Sequence, residues 1–171
     1  MIKFALYDYL PKRYMGKASF EEMDLNRRIL DFKDGRNYAK RWAAHQMAYC
    51  LQSVDLHDVI VICLPASCQH TYTRRYKRFM KELCERCHAV NGFGMVRIHG
   101  SREKRHLSRE RCHISPLSNA TIDAGIKGHK VLVVDDICTT CSSANDFIDG
   151  LRAAGAEVVL TMFLAKTRAW S

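Results

Sequence analysis

No stretch of this sequence approaches the ~18 to 20 consecutive apolar residues that a membrane-crossing helix needs, so no bilayer-spanning segment is expected. An export signal is lacking too: Met1 to Leu10, "MIKFALYDYL", has neither a long apolar centre nor a small-residue cleavage site. Without export, the eight cysteines are expected as thiols, or occasionally metal ligands, rather than as a disulfide framework. No internal repeat and no domain linker can be traced. The phosphate-loop pattern G-x-x-x-x-G-K-[ST] occurs nowhere, which excludes a P-loop nucleotidase. What is present is a 171-residue chain, 47% hydrophobic and 26% charged, which suits one soluble, cytoplasmic domain able to bury a real core.

Acidic residues are also scarce, 18 against 27 Lys and Arg, and the net charge of +9 is unevenly spread. Between Arg74 and Arg111 twelve Lys or Arg face four acids, so nearly all of the excess sits there. Concentrated positive potential suits a polyanion such as pyrophosphate, a nucleotide or nucleic acid, although a run of charge can equally be a solvated face.

Hydrophobic periodicity predicts alternating elements. Asp58 to Pro65, "DVIVICLP", and Val131 to Val134 are continuous β-branched runs of the kind that strands buried on both faces show. Helices are expected from about Asn37 to Gln52, from Thr71 to Cys87 with Tyr72, Tyr76, Phe79, Met80 and Leu83 as its buried stripe, and from Ser143 to Ala154. Gly155 should stop the third helix, and "EVVLTMFLAK" should form a last strand. "GFGMVRIHG" reads as a strand, followed by a long basic loop over about Gly100 to Arg111. Buried strands alternating with helices indicate an α/β domain with a mainly parallel sheet flanked by helices.

The segment "KVLVVDDICTTCSSAND", residues 130–146, is the one acidic feature in a basic chain that calls for a reason. It puts Asp135 and Asp136 at the carboxyl end of a buried parallel strand, where open α/β sheets bind ligands. A helix N-terminus follows, whose free N–H groups and dipole favour phosphate, with Thr139, Thr140, Ser142 and Ser143 as added hydroxyl donors. Carboxylates do not attract phosphate, but they accept hydrogen bonds from a vicinal diol. The pattern therefore reads as acids for a ribose, and amides and hydroxyls for its phosphate. A response-regulator receiver domain also carries such an acid pair, but early in a fold of roughly 120 residues, and too little chain follows Asp136 here.

Val131 to Ser143, "VLVVDDICTTCSS", resembles the phosphoribosyl pyrophosphate (PRPP) motif of type I phosphoribosyltransferases at every position but one. More weakly, "ILDFKDGRNYAKRWA" and "VIVICLPASCQHTYTRRYKRF" resemble segments of ComF-like and amidophosphoribosyltransferase-like domains. The resemblance implies a type I phosphoribosyltransferase fold, with a core over about 29–166 and a small variable hood from about 1–30 and parts of 88–112. It also implies transfer of the 5-phosphoribosyl group of PRPP to a nitrogen acceptor, with release of pyrophosphate and with Mg²⁺ bridging ligand oxygens. Asp135 and Asp136 would hold the ribose hydroxyls and, directly or indirectly, the Mg²⁺. Ile137, Cys138, Thr139, Thr140, Cys141, Ser142 and Ser143 would form the 5-phosphate loop. Ala66, Ser67 and Cys68, helped by Arg74 and Arg75, would bind pyrophosphate, and Arg102, Lys104, Arg105 or Arg109 would sit on a loop closing over the leaving group. A homodimer is implied by family habit alone.

The departure is Cys141, which stands where the motif has a Gly able to adopt positive φ. Near a helix N-terminus its thiol could also be activated. The "PASCQ" loop lacks a basic residue, which leaves a second reading: a non-catalytic PRPP or nucleotide sensor whose basic region binds nucleic acid or a partner protein. Cys84, Cys87 and His88, with Cys112 and His113, are zinc-ligand types, but the second pair lacks paired spacing and zinc is not the expected reading. No base-recognition signature identifies the acceptor.

Overall fold

The structure, a computed structural model, describes residues 2–102 and 114–168. Five parallel strands form its main sheet: β1 (Ile2–Tyr9), β2 (Val59–Cys63), β3 (Val90–Asn91), β6 (Lys130–Cys138) and β7 (Glu157–Thr167), in the spatial order β1-β7-β6-β2-β3. Two further strands, β4 (Val96–Ile98) and β5 (Ala120–Ile122), make a separate antiparallel pair. The helices are α1 (Phe20–Lys33), α2 (Asn37–Leu51), α3 (Gln69–Cys87) and α4 (Ser142–Ala153). The fold is thus α/β, a mainly parallel sheet flanked by helices. No helix among the described residues is long and apolar enough to cross a membrane.

All five residues of β2 are buried, as are Val131 to Val134 of β6, which is why their runs are continuous rather than alternating. On α3, Tyr72, Tyr76, Phe79, Met80 and Leu83 are all at most 1% exposed, so the stripe is core. Phe32 of α1 meets Tyr76 and Phe79 edge-on, with ring centroids 6.2 and 4.9 Å away, fastening α1 to α3. Gly155 ends α4's turn at φ 89°, a conformation costly for any residue with a Cβ.

The amino-terminal segment departs from the expected hood. Ile2 to Tyr9 pair in parallel with β7, from Ile2 opposite Leu160 to Tyr9 opposite Thr167, so residues 2–9 extend the central sheet. An edge strand with mixed burial shows no continuous β-branched run, and "IKFALYDY" carried no strand signal for that reason. α1 was not among the expected helices, although Ser19 and Glu22 cap it reciprocally in a capping box. The expected "GFGMVRIHG" strand shrinks to three residues, because Phe93–Met95 form a 3₁₀ turn. Most of the expected basic loop, from residue 103 onward, lies outside the described residues.

Candidate active-site crevice

β2 and β6 run side by side from Val59 opposite Lys130 to Cys63 opposite Val134, and the last bond between them is Leu64 N–H to the Val134 carbonyl, 3.1 Å. Beyond it β6 continues along β7 as far as Cys138 opposite Lys166, while the chain after β2 turns away. Asp135 and Asp136 are the first two residues of β6 without a β2 partner. The chain also winds in opposite directions from this point: β2 leads through α3 outward to β3, and β6 leads through α4 outward to β7. A crevice at the carboxyl ends of parallel strands, at such a reversal, is where open α/β sheets bind ligands.

The two acids are unequal. Asp136 is 5% exposed; one oxygen accepts from the Ile137 N–H at 2.6 Å, and the other forms an ion pair with Arg75 Nη1 at 2.7 Å. Arg75 is fixed in turn, since its Nε donates to the Lys33 carbonyl at 2.8 Å and its guanidinium lies 5.5 Å over the Tyr76 ring. Burial opposes its charge, but Tyr76, Asp136 and Asp135 outweigh that and hold its pKa above the ordinary value. Asp135 is half-buried and accepts from the Tyr76 hydroxyl at 2.8 Å. Burial, and then the neighbouring Asp136 charge, raise its pKa to about 7, against the pull of Tyr76 and Arg75. One acid is therefore neutralised from within the protein, and the other is costly to ionise until something offers it hydrogen bonds.

The loop after β6 turns left-handed at Cys141, the position where the motif has Gly. Cys141 caps α4 at φ 56° and ψ 10°, the left-handed conformation usually left to Gly, and its carbonyl accepts from the Asn145 N–H at 2.9 Å. Ile137 is half-buried, Cys138 buried, Thr139 and Thr140 exposed, and Cys141, Ser142 and Ser143 half-buried. The Thr139 hydroxyl pairs with that of Thr167 at 3.0 Å, and the Thr140 hydroxyl with that of Ser142 at 2.9 Å. Contrary to the expectation of free thiols, Cys138 and Cys141 are joined by a disulfide, with Cα atoms 5.2 Å apart.

Across the crevice, Ala66, Ser67 and Cys68 are half-buried at the start of α3. The Ser67 carbonyl accepts from the Arg102 N–H at 3.0 Å and from Asn119 Nδ2 at 3.1 Å. Arg102 was expected on a closing loop, but its guanidinium donates to the carbonyls of Pro65 (2.9 Å) and Ser115 (3.2 Å), so it braces the 65–68 turn. Burial lowers its pKa, and Asp135 partly restores it. Arg75 does not supply a missing cation to that turn. Arg75 faces Asp136, and Arg74 packs against Gly35 while its carbonyl accepts from Lys40 Nζ at 3.0 Å. Both lie more than one helical turn beyond Gln69, where α3 begins. Lys104, Arg105 and Arg109 lie outside the described residues.

Three contributors were missed in the sequence. Tyr76 looked like any member of a core stripe, and Asn119 sat in an unremarkable polar stretch. The Cys138-Thr139-Thr140-Cys141 spacing, by contrast, was a visible C-x-x-C. The metal-ligand types elsewhere do not converge: Cys84 is buried, its thiol pushed up to about 12 chiefly by burial, and among the described residues no group of three or more His, Cys, Asp or Glu could hold a metal ion. Cys112 and His113 lie outside those residues.

No family model matches the chain, and no curated protein matches it. Among solved structures it is similar to a purine phosphoribosyltransferase from Pyrococcus horikoshii OT3, at 15% identity and a TM-score of 0.37, over 75% of this chain and 82% of that one. Likeness at that level assigns no activity.

Proposed function

We propose that the crevice binds PRPP and that the chain transfers its 5-phosphoribosyl group to a nitrogen acceptor, releasing pyrophosphate. The observation that carries this reading is the acid pair lying just past the last β2–β6 bond, followed at once by a left-handed loop and the N-terminus of α4. Asp135, half-buried at the crevice, accepts from the ribose hydroxyls. Asp136, already occupied by Arg75, positions the strand and the charge around it rather than the ligand. The 138–143 loop and the first turn of α4 take the 5-phosphate, and the 66–68 turn braced by Arg102 faces the pyrophosphate. Departure of pyrophosphate from C1 of the ribose passes through an oxocarbenium-like transition state, so stabilising charge and excluding water are the tasks.

The residues fit a Mg²⁺ carried in by ligand oxygens, with Asp135 as the nearby carboxylate, since among the described residues no group of three or more His, Cys, Asp or Glu could hold the ion alone. When bound, it would neutralise charge on the pyrophosphate. The test is calorimetric titration of PRPP, with and without Mg²⁺, into wild type and Asp135→Asn, followed by an acceptor screen for pyrophosphate release. Micromolar, Mg²⁺-dependent binding that the variant loses is the expected result; no heat from folded wild type would refute it.

A second reading has its own support. Of the cations expected at the 66–68 turn, Arg75 is engaged by Asp136 and the Lys33 carbonyl and Arg102 by the carbonyls of Pro65 and Ser115, so neither offers a free cation there. A PRPP or nucleotide sensor that does no chemistry would need none. Binding without turnover against any acceptor, together with steeply salt-sensitive binding of nucleic acid, would favour it.

A further inference from the structure

We infer that the Cys138–Cys141 disulfide is a redox-modifiable site that holds the 138–143 loop in its ligand-binding shape, so that thiol–disulfide exchange sets the loop's affinity. The inference rests on the PRPP reading for the identity of the ligand, but not for the behaviour of the loop. Three observations support it. The bond spans only Thr139 and Thr140, and a ring closed over so few residues lies at the bottom of the loop-entropy scale, so it adds little to global stability. Its outer half, Cys141, is the α4 cap at φ 56°, where a residue with a Cβ stays only if the surroundings hold it. Its inner half, Cys138, is 3% exposed and is anchored by strand pairing to Lys166. The fixed cysteine thus tethers the strained one.

Accessibility sets the chemistry. Cys141 is half-buried and Cys138 is sealed, so a small external thiolate attacks Sγ of Cys141. A new S–S bond forms there, the Cys138–Cys141 bond breaks, and Cys138 leaves as a thiolate that takes up a proton. A second external thiol then resolves the mixed disulfide, releasing the Cys141 thiol and a small-molecule disulfide. Two electrons pass to the protein from two thiols, and the reverse steps re-form the bond. Once untethered, Cys141 can leave the left-handed region, and the amides at the start of α4 lose their common direction. The left-handed penalty of a residue with a Cβ sets the size of the effect, roughly 5- to 30-fold weaker binding after reduction.

The experiment equilibrates the full chain with defined ratios of reduced and oxidised glutathione. Alkylation and peptide mapping then read the thiols, hydrogen exchange reads residues 139–143, and PRPP with Mg²⁺ is titrated in each state. Cys138 and Cys141 should become alkylatable together, exchange should quicken on reduction, and affinity should fall by the stated factor. In a Cys138→Ala/Cys141→Gly variant, which has no thiol pair to exchange, affinity and the hydrogen exchange of residues 139–143 should not change with the glutathione ratio. Exchange or measurable affinity that is equal in the two states would overturn the inference, as would both thiols being alkylated under oxidising conditions. No binding in any state, with exchange still redox-dependent, would instead overturn the PRPP reading and leave the tether standing.

Discussion

Replacing Asp135 with Asn should make the protein more stable at pH 8 and leave it nearly unchanged at pH 4. In the fold Asp135 holds its proton to about 7, chiefly through burial, whereas an unfolded Asp releases it near 3.8. A raised folded-state pKa means that the stability tied to this group is fully present below the unfolded value. It is lost as pH climbs towards the folded value, and the loss is complete above it. At ~1.4 kcal/mol per unit the ceiling is about 4 kcal/mol, and the partial opening to solvent brings the expectation to about 2 to 4 kcal/mol. Asn cannot ionise, yet its carbonyl can still accept from the Tyr76 hydroxyl, so the variant escapes the loss without leaving a buried donor unpaired. For a domain of this size the gain corresponds to roughly 5 to 10 °C in Tm at pH 8. Thermal unfolding of both proteins between pH 4 and 9 should give curves that meet at the acid end and diverge through neutrality. Parallel curves, or a variant less stable at pH 8, would refute the unequal roles assigned to the two acids. A stabilised variant that no longer binds PRPP would show that the charge is kept for the ligand and not for the fold.

The neighbouring substitution should act in the opposite sense: Asp136→Asn leaves the Arg75 guanidinium without its carboxylate partner and should cost about 3 to 5 kcal/mol at neutral pH in denaturant unfolding. Near-neutral behaviour would contradict a buried pair. Tyr76→Phe removes the hydrogen bond that favours ionised Asp135, so the pH at which the Asp135-dependent loss occurs should move upward; a downward shift in the Tyr76→Phe against Tyr76→Phe/Asp135→Asn comparison would count against it. Arg102→Ala frees the carbonyls of Pro65 and Ser115, at about 1 to 3 kcal/mol, and should speed hydrogen exchange at residues 66–68 while sparing α4. Unchanged exchange there would mean that Arg102 does not brace the turn.

The sequence by itself determined the elements whose residues are buried alike along their whole length. β2, β6 and the stripe of α3 could be read because periodicity records how each position meets solvent. The acid pair at the end of an apolar strand, ahead of a helix, was legible for the same reason. β1 was not, because an edge strand that mixes apolar and polar positions leaves no such record until β7 is beside it. Tertiary structure alone decided what each of these side chains faces: Tyr76 meets Asp135 and Arg75 meets Asp136 only because α3 packs against β2, the sheet neighbour of β6, across 59 residues of sequence in the first case. Arg75 and Arg102 read as cations for a ligand because sequence conveys charge but not direction. The C-x-x-C spacing was there to be seen, but only the turn between β6 and α4 brings Cys138 and Cys141 within bonding reach.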